Sequence, residues 1–202
     1  EHEQQRHYDR LVEDYEAHYD DAASRTYRER FIEEPLLSGL KLAGSQVLEG
    51  ICGSGQTTSA LLSRGAAVTG LDISEHSVRR FRERWPEARV VRASILDTGL
   101  PDDHFDAVVV VAGLHHVHPR LDDTLREIHR ILKPGGQVVV VDLLEHDRED
   151  FRVQMGQHWL GFTMDRLDGL LASGGFEGHR TRVLNPEPQA RGPTLVMAVG
   201  HK

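Results

Sequence analysis

Val47-Leu48-Glu49-Gly50-Ile51-Cys52-Gly53-Ser54-Gly55 is a short apolar strand that ends in an acid and runs into a glycine turn ahead of a helical stretch. Seventeen residues beyond Gly55, the strand-like run Ala66-Ala67-Val68-Thr69-Gly70-Leu71 ends in a second acid, Asp72. An acid closing the second strand of a βαβ unit is placed to accept hydrogen bonds from a ribose diol. The glycines let backbone approach the rest of a nucleoside-bearing ligand. A nicotinamide dinucleotide, and with it an oxidoreductase, competes for such a turn, but its pyrophosphate uses a Gly-x-Gly-x-x-Gly pattern at the helix N-terminus. Here Gly53-Ser54-Gly55 is followed by Gln56-Thr57-Thr58, so the third glycine is absent and a ligand without a pyrophosphate is favoured. Asp72 is not needed as a helix cap, because Ser74 stands at a capping position ahead of Glu75.

A histidine cluster is the other source of chemistry. In His115-His116-Val117-His118, an imidazole titrating near neutrality could take a proton from a hydroxyl or amine; equally, His115 and His116 could shape a turn and pack. A metal site would need ligands from elsewhere, since adjacent histidines do not easily address one ion. His146 and His158, further along, are additional proton acceptors to weigh. Cys52 sits inside the glycine turn with no electropositive setting, as a small packing residue rather than a nucleophile.

The elements that must position these residues read as an alternation of strands and helices. Strand-like runs at 46–51, 66–71, 88–92, 105–111 and 136–142 alternate with amphipathic stretches near 56–64, 75–84 and 121–132, the signature of parallel strands joined by crossover helices. The continuously apolar runs from Ala107 to Val111 and from Val138 to Val141 are expected at the centre of the sheet, covered on both faces. A helix from about Asp165 to Ala172, stopped by Gly174 and Gly175, precedes two runs near 176–184 and 194–200. Asn185-Pro186-Glu187-Pro188 leaves no room for a crossover helix between them, so they should pair antiparallel. Residues 1–42 are polar and helical in pattern, with Pro35 expected to kink or divide the second piece.

The chain has 202 residues, 39% hydrophobic, which suits one domain with a full core. A net charge of −8 argues against a nucleic-acid surface, which needs clustered Lys and Arg. One cysteine cannot form an internal disulfide, no stretch approaches the ~20 apolar residues of a membrane span, and no charged-then-apolar leader follows Glu1. A cytoplasmic chain is the expectation, acting as a monomer or homodimer without nucleic acid or membrane.

This mostly parallel seven-stranded α/β arrangement, closed by a C-terminal antiparallel hairpin, resembles the Rossmann-like class I S-adenosylmethionine (SAM)-dependent methyltransferases, of the small bacterial type. The run 47–55 looks like that family's first motif, and Gly70-Leu71-Asp72-Ile73-Ser74 looks like its second. Leu100-Pro101-Asp102-Asp103-His104-Phe105-Asp106, with Gly113-Leu114-His115-His116-Val117 after the valine strand, is similar to the third and fourth. Leu132-Lys133-Pro134-Gly135-Gly136 is similar to the post-motif turn. One departure stands out: Ile51 occupies the position of the usual first glycine, with Gly50 just before it.

The resemblance implies methyl transfer from SAM to a small-molecule acceptor, leaving S-adenosylhomocysteine (SAH). It implies cofactor contacts from Glu49, Gly50, Ile51, Cys52, Gly53 and Gly55 in the turn, from Asp72 to the ribose, and from Ile73, Ser94 and Ile95 around the adenine. Ala112 and Gly113 then fall near the methionine part, and Tyr15, with Tyr8 as a second candidate, closes over the cofactor. On this reading residues 1–202 form a single domain, with 1–42 as a helical cover, 43–202 as the SAM-binding core and 143–164 as the acceptor-side segment, where Trp159 and Phe162 line a pocket or seal the sheet edge. His115, His116 and His146 are the candidate bases. A SAM-binding regulatory module without transfer activity stays open as an alternative.

Overall fold

The computed structural model describes residues 26–148, 159–185 and 192–202. Seven strands form one sheet in the order β3-β2-β1-β4-β5-β7-β6. They are β1 (Gln46–Gly50), β2 (Ala67–Asp72), β3 (Arg89–Arg92), β4 (Phe105–Val111), β5 (Leu132–Leu143), β6 (Glu177–Val183) and β7 (Leu195–His201). β1 to β5 pair in parallel, whereas β7 runs antiparallel to both β5 and β6. The expected antiparallel hairpin is thus present, with β7 inserted between β5 and β6.

The central strands alternate between two apolar layers. Val108 and Val110 of β4, with Val138 and Val140 of β5, face one core, while Ala107, Val109, Val139 and Val141 face the other. Burial on both faces is why these runs are continuously apolar rather than alternating. The helices are α1 (Glu34–Leu37), α2 (Thr58–Ser63), α3 (Glu75–Arg84), α4 (Leu121–Ile131) and α5 (Met164–Ser173). Ser74 caps α3 by accepting the Ser77 N–H at 3.2 Å, and Thr163 caps α5 by accepting the Arg166 N–H at 3.1 Å. Val78 and Phe81 of α3 are buried, and the Phe81 ring lies over Gly70, where a Cβ would be 2.6 Å away. Pro35 opens α1 directly after a π-helical turn, Glu29–Glu33, so the helical register changes there.

β5 is longer than the sequence pattern indicates. Leu132 pairs with Phe105 and Gln137 with Ala107, so residues 133–136 bulge from the ladder. The Gly135 N–H and Gly136 C=O of that bulge are tied to Lys202. The chain moves outward from β1 through β2 to β3, then returns to place β4 on the other side of β1. The carboxyl ends of β1 and β4 therefore border the switch-point crevice where ligands of open α/β sheets bind. No helix among the described residues is long and apolar enough to cross a membrane.

Candidate active site

Three strands around the crevice end in a buried acid, and each acid holds a different piece of backbone. Glu49 closes β1 and is 4% exposed. Its carboxylate accepts the Thr57 N–H at 3.0 Å and the Thr58 hydroxyl, securing the start of α2. The helix terminus that a pyrophosphate would need is thus already met by a carboxylate. Burial pushes the Glu49 carboxyl up to about 7. The native state therefore holds this proton more tightly than the unfolded chain, and the stability it contributes is lost as pH rises from about 4.5 through 7. Glu49→Gln keeps an acceptor for Thr57 and a partner for Thr58 but does not ionise. In urea unfolding, the stability of the wild type relative to the variant should fall by roughly 3 kcal/mol across that window, because other titrating groups such as His116 act alike in both chains. Identical pH profiles in the two chains would refute the assignment.

Asp72 closes β2 and is 7% exposed. Oδ2 accepts the Gly53 N–H and Oδ1 accepts the Ser74 N–H, each at 2.9 Å, so the acid ties the glycine turn to the start of α3. A carboxylate oxygen accepts more than one hydrogen bond, so this clamp is compatible with a ribose diol on the same group. Cys52 is buried beneath the turn, and burial, with Asp72 and Glu49 nearby, pushes its thiol well above the ordinary range, consistent with a packing role.

The turn has two faces. At Gly53, φ is 54° and no atom of the described residues lies within 4 Å of where a Cβ would stand, so among them this side is open. At Gly55, φ is 85° and a Cβ would fall 2.4 Å from Trp85 Nε1. The indole N–H of Trp85 is shared between the Ser54 and Gly55 carbonyls at 3.1 Å each, closing that face. The Ser54 hydroxyl is buried in the turn without a hydrogen-bond partner among the described residues. Arg28, ahead of α1, bonds Gln56 and joins the amino-terminal helix to the turn.

Ile51 adopts φ of 56°, the left-handed conformation usually given to glycine. The turn keeps the shape of a glycine turn at that position, and a β-branched residue carries the strain. Its side chain packs on Gly113, where a Cβ would meet Ile51 Cβ at 3.0 Å. Opposite, Ala112 has φ of 50° and donates its N–H to the Val141 carbonyl at 2.7 Å. Two strained residues thus face each other across the ends of β1 and β4. Gly50 lies under Ile95, whose side chain is buried in the core with Cδ1 3.1 Å from a would-be Cβ. Ile73 is half-buried between Asp72 and Ser74. Ser94 uses its hydroxyl to accept the Leu96 N–H and its carbonyl to accept the Asp97 N–H.

The third acid, Asp142, closes β5 and is fully buried. It accepts the N–H groups of Leu114, His115 and Leu143 and lies 2.6 Å from His115 Nδ1. His115 and His116 belong to a 3-10 turn, Leu114–Val117, with ring centroids 3.8 Å apart. Burial, with His115 beside it, holds His116 well below the usual imidazole range. His118 stacks on Trp159 at 4.0 Å, and the Trp159 indole N–H is buried without a partner among the described residues. His146 accepts the Arg148 N–H at Nδ1, while its backbone N–H donates to the Leu160 carbonyl. Tyr8, Tyr15 and His158 lie outside the described residues. Among the described residues no three metal-binding side chains converge.

Sequence reasoning named the glycine turn, Asp72 and the histidine cluster as candidates; the structure adds Ser54, Trp85 and Asp142 to their surroundings. Ser54 and Asp142 carried readable signals, a hydroxyl between two glycines and an acid ending a strand. Trp85 comes from thirty residues away and carried none.

Residues 48–140 match the family model described as a methyltransferase domain. A Synechocystis protein named as an uncharacterised methyltransferase is 37% identical over 116 residues, covering 57% of this chain and 55% of that protein. The demethylmenaquinone methyltransferase of Lysinibacillus sphaericus is 30% identical over 115 residues, 54% of this chain and 49% of its own length. The chain thus matches about half the length of these relatives. In fold, it superposes on a Thermotoga maritima SAM-dependent methyltransferase, described as a possible histamine N-methyltransferase, with a TM-score of 0.78, 20% identity and coverage of 98% and 99%. The Burkholderia thailandensis 1,6-didemethyltoxoflavin N1-methyltransferase, solved with SAH, gives a TM-score of 0.76 at 22% identity, covering 98% of this chain and 86% of that one. Residues 48–140 thus match a methyltransferase domain, and the strand order is that of the fold these SAM-dependent methyltransferase structures share.

Proposed function

We propose that this protein transfers a methyl group from SAM to a small-molecule acceptor. The observation that carries the reading is the Asp72 carboxylate at the end of β2, bonded to the Gly53 N–H of a turn whose Gly53 side is open and whose Ser54 hydroxyl is buried without a partner, both among the described residues. These residues fit a nucleoside-bearing ligand without a pyrophosphate. When bound, SAM supplies an electrophilic methyl group, so the protein needs no covalent nucleophile. Its task is to align the acceptor and exclude water.

In this assignment Asp72 holds the ribose diol, Gly53, Ser54 and Gly55 form the methionine-side cradle, and Glu49 fixes that cradle to α2. Ile73 and the Ser94 segment flank the adenine, and Ala112 and Gly113 border the reacting end. Trp159 supplies an apolar wall on the acceptor side, whereas Phe162 is fully buried and packs in the core at the sheet edge beside Leu144. The small-molecule acceptors in the names of the Lysinibacillus and Burkholderia proteins support an acceptor of that class. We take residues 1–202 as one domain, acting in the cytoplasm as a monomer or homodimer.

Incubation with methyl-tritiated SAM and the low-molecular-mass fraction of a cell extract should move label into a small product. Binding of SAH with no label in any fraction would overturn the transferase reading in favour of a SAM-binding regulatory module.

A further inference from the structure

The Asp142 carboxylate does more than close β5. Oδ2 accepts the Leu114 N–H at 2.9 Å and the His115 N–H at 3.3 Å; Oδ1 accepts the Leu143 N–H at 2.7 Å and faces His115 Nδ1 at 2.6 Å. His115 is 5% exposed and Asp142 0%, so the carboxylate is shielded from water while the imidazole residue keeps a small accessible area. An ionised carboxylate only accepts, so in neutral His115 the proton sits on Nδ1 and the basic lone pair on Nε2. The two backbone N–H groups of the same turn hold the carboxylate against the ring, and the His116 ring, 3.8 Å away, limits its swing. The turn starts one residue after Gly113, at the carboxyl end of β4 and beside the switch-point crevice.

From this geometry we infer that His115, through Nε2, takes the proton that the methyl acceptor gives up, and that Asp142 is the positioning residue that fixes its tautomer. The acceptor is then an O–H or N–H acid, such as a phenol, an enol or a ring N–H, rather than a thioether or a tertiary amine, which have no proton to lose. This rests on the methyl-transfer reading above. The step balances within the site. The acceptor lone pair forms the new bond to the methyl carbon as the carbon–sulfur pair returns to sulfur. The proton leaving the acceptor passes to Nε2, and the imidazolium faces the Asp142 carboxylate until it releases that proton to water. Asp142 enters no bond change.

The test separates the pair from the parent reading. In SAH-saturated protein labelled with nitrogen-15 histidine, ring correlation spectra at pH 8 should show His115 protonated at Nδ1. In Asp142→Asn, the amide oxygen best serves the Leu114 and His115 N–H groups, which turns the NH2 toward the ring and moves the proton to Nε2. A wild-type His115 protonated at Nε2, or a tautomer indifferent to Asp142→Asn, overturns the assignment. His115→Asn keeps a donor for Asp142 and should retain SAH affinity while transfer to the labelled extract product falls about 100- to 10,000-fold. The methyl in that product should sit on an oxygen or nitrogen that bore hydrogen. Transfer at the wild-type rate, or a methyl on sulfur, carbon or a tertiary nitrogen, overturns the proposal. Absence of label from every fraction, with SAH bound, overturns the parent reading and this one with it.

Discussion

Replacing Asp72 with alanine is expected to weaken SAH binding by at least about 100-fold, close to 3 kcal/mol, because hydrogen bonds to a charged acceptor contribute about 1.5–3 kcal/mol each and the diol offers two. The loss is compounded by the second task of this carboxylate. Without it, the Gly53 and Ser74 N–H groups lose their acceptor and the glycine turn loses its tie to α3. Asp72→Asn keeps one acceptor oxygen and should fall between the two, because its amide can serve one of those N–H groups but not both. Calorimetric titration of the three chains gives the order directly, and their melting temperatures show that the alanine chain is folded when its affinity is read. Wild-type affinity in Asp72→Ala would remove the ribose assignment.

The largest effect on stability is expected at Asp142. Its carboxylate is fully buried and serves three backbone N–H groups and the His115 ring. Asp142→Ala leaves all four without a partner in a place water does not reach. Each buried donor left without its acceptor costs about 1–3 kcal/mol, so the four together take a large share of the 5–15 kcal/mol that holds a typical domain. For a chain of this length that corresponds to a melting temperature lower by roughly 10 °C. The exposed pair Arg92–Glu75 is the natural control: its side chains are 52% and 73% accessible, and its removal should cost less than about 1 kcal/mol. If both variants melt alike, the turn at Leu114–Val117 is not held by Asp142.

The strands were legible because central parallel strands are apolar on both faces, which leaves runs such as Val108 to Val111 with no helical alternative. Their ends were less so. The first strand stops at Gly50 rather than Ile51 because Ile51 turns into the left-handed region, a conformation that a β-branched residue does not advertise. The following helix begins at Thr58, later than its pattern suggests, because Thr57 and Thr58 are drawn to the Glu49 carboxylate. In the site, Asp72 was legible from its distance to the glycines alone. For Asp142 only its place near the end of an apolar strand was legible; its partners were not, because they come from the turn after β4, 27 and 28 residues earlier in the chain. Trp85 was invisible for the same reason: only the folded α3 brings its indole to Gly55.

The departure at Ile51 reads differently with the backbone in view. The position still has the positive φ that glycine supplies in such turns, so the cradle keeps its shape and the change is one of strain and of packing against Gly113. The missing third glycine has a structural counterpart as well, since Glu49 already meets the helix start that a pyrophosphate would use.

The central claim, a nucleoside site for SAM rather than for a dinucleotide, is tested most directly by calorimetric titration of the wild-type chain with SAH and, separately, with NAD. The account predicts saturable one-to-one binding of SAH and no heat of binding with NAD. Saturable binding of NAD with none of SAH would contradict it.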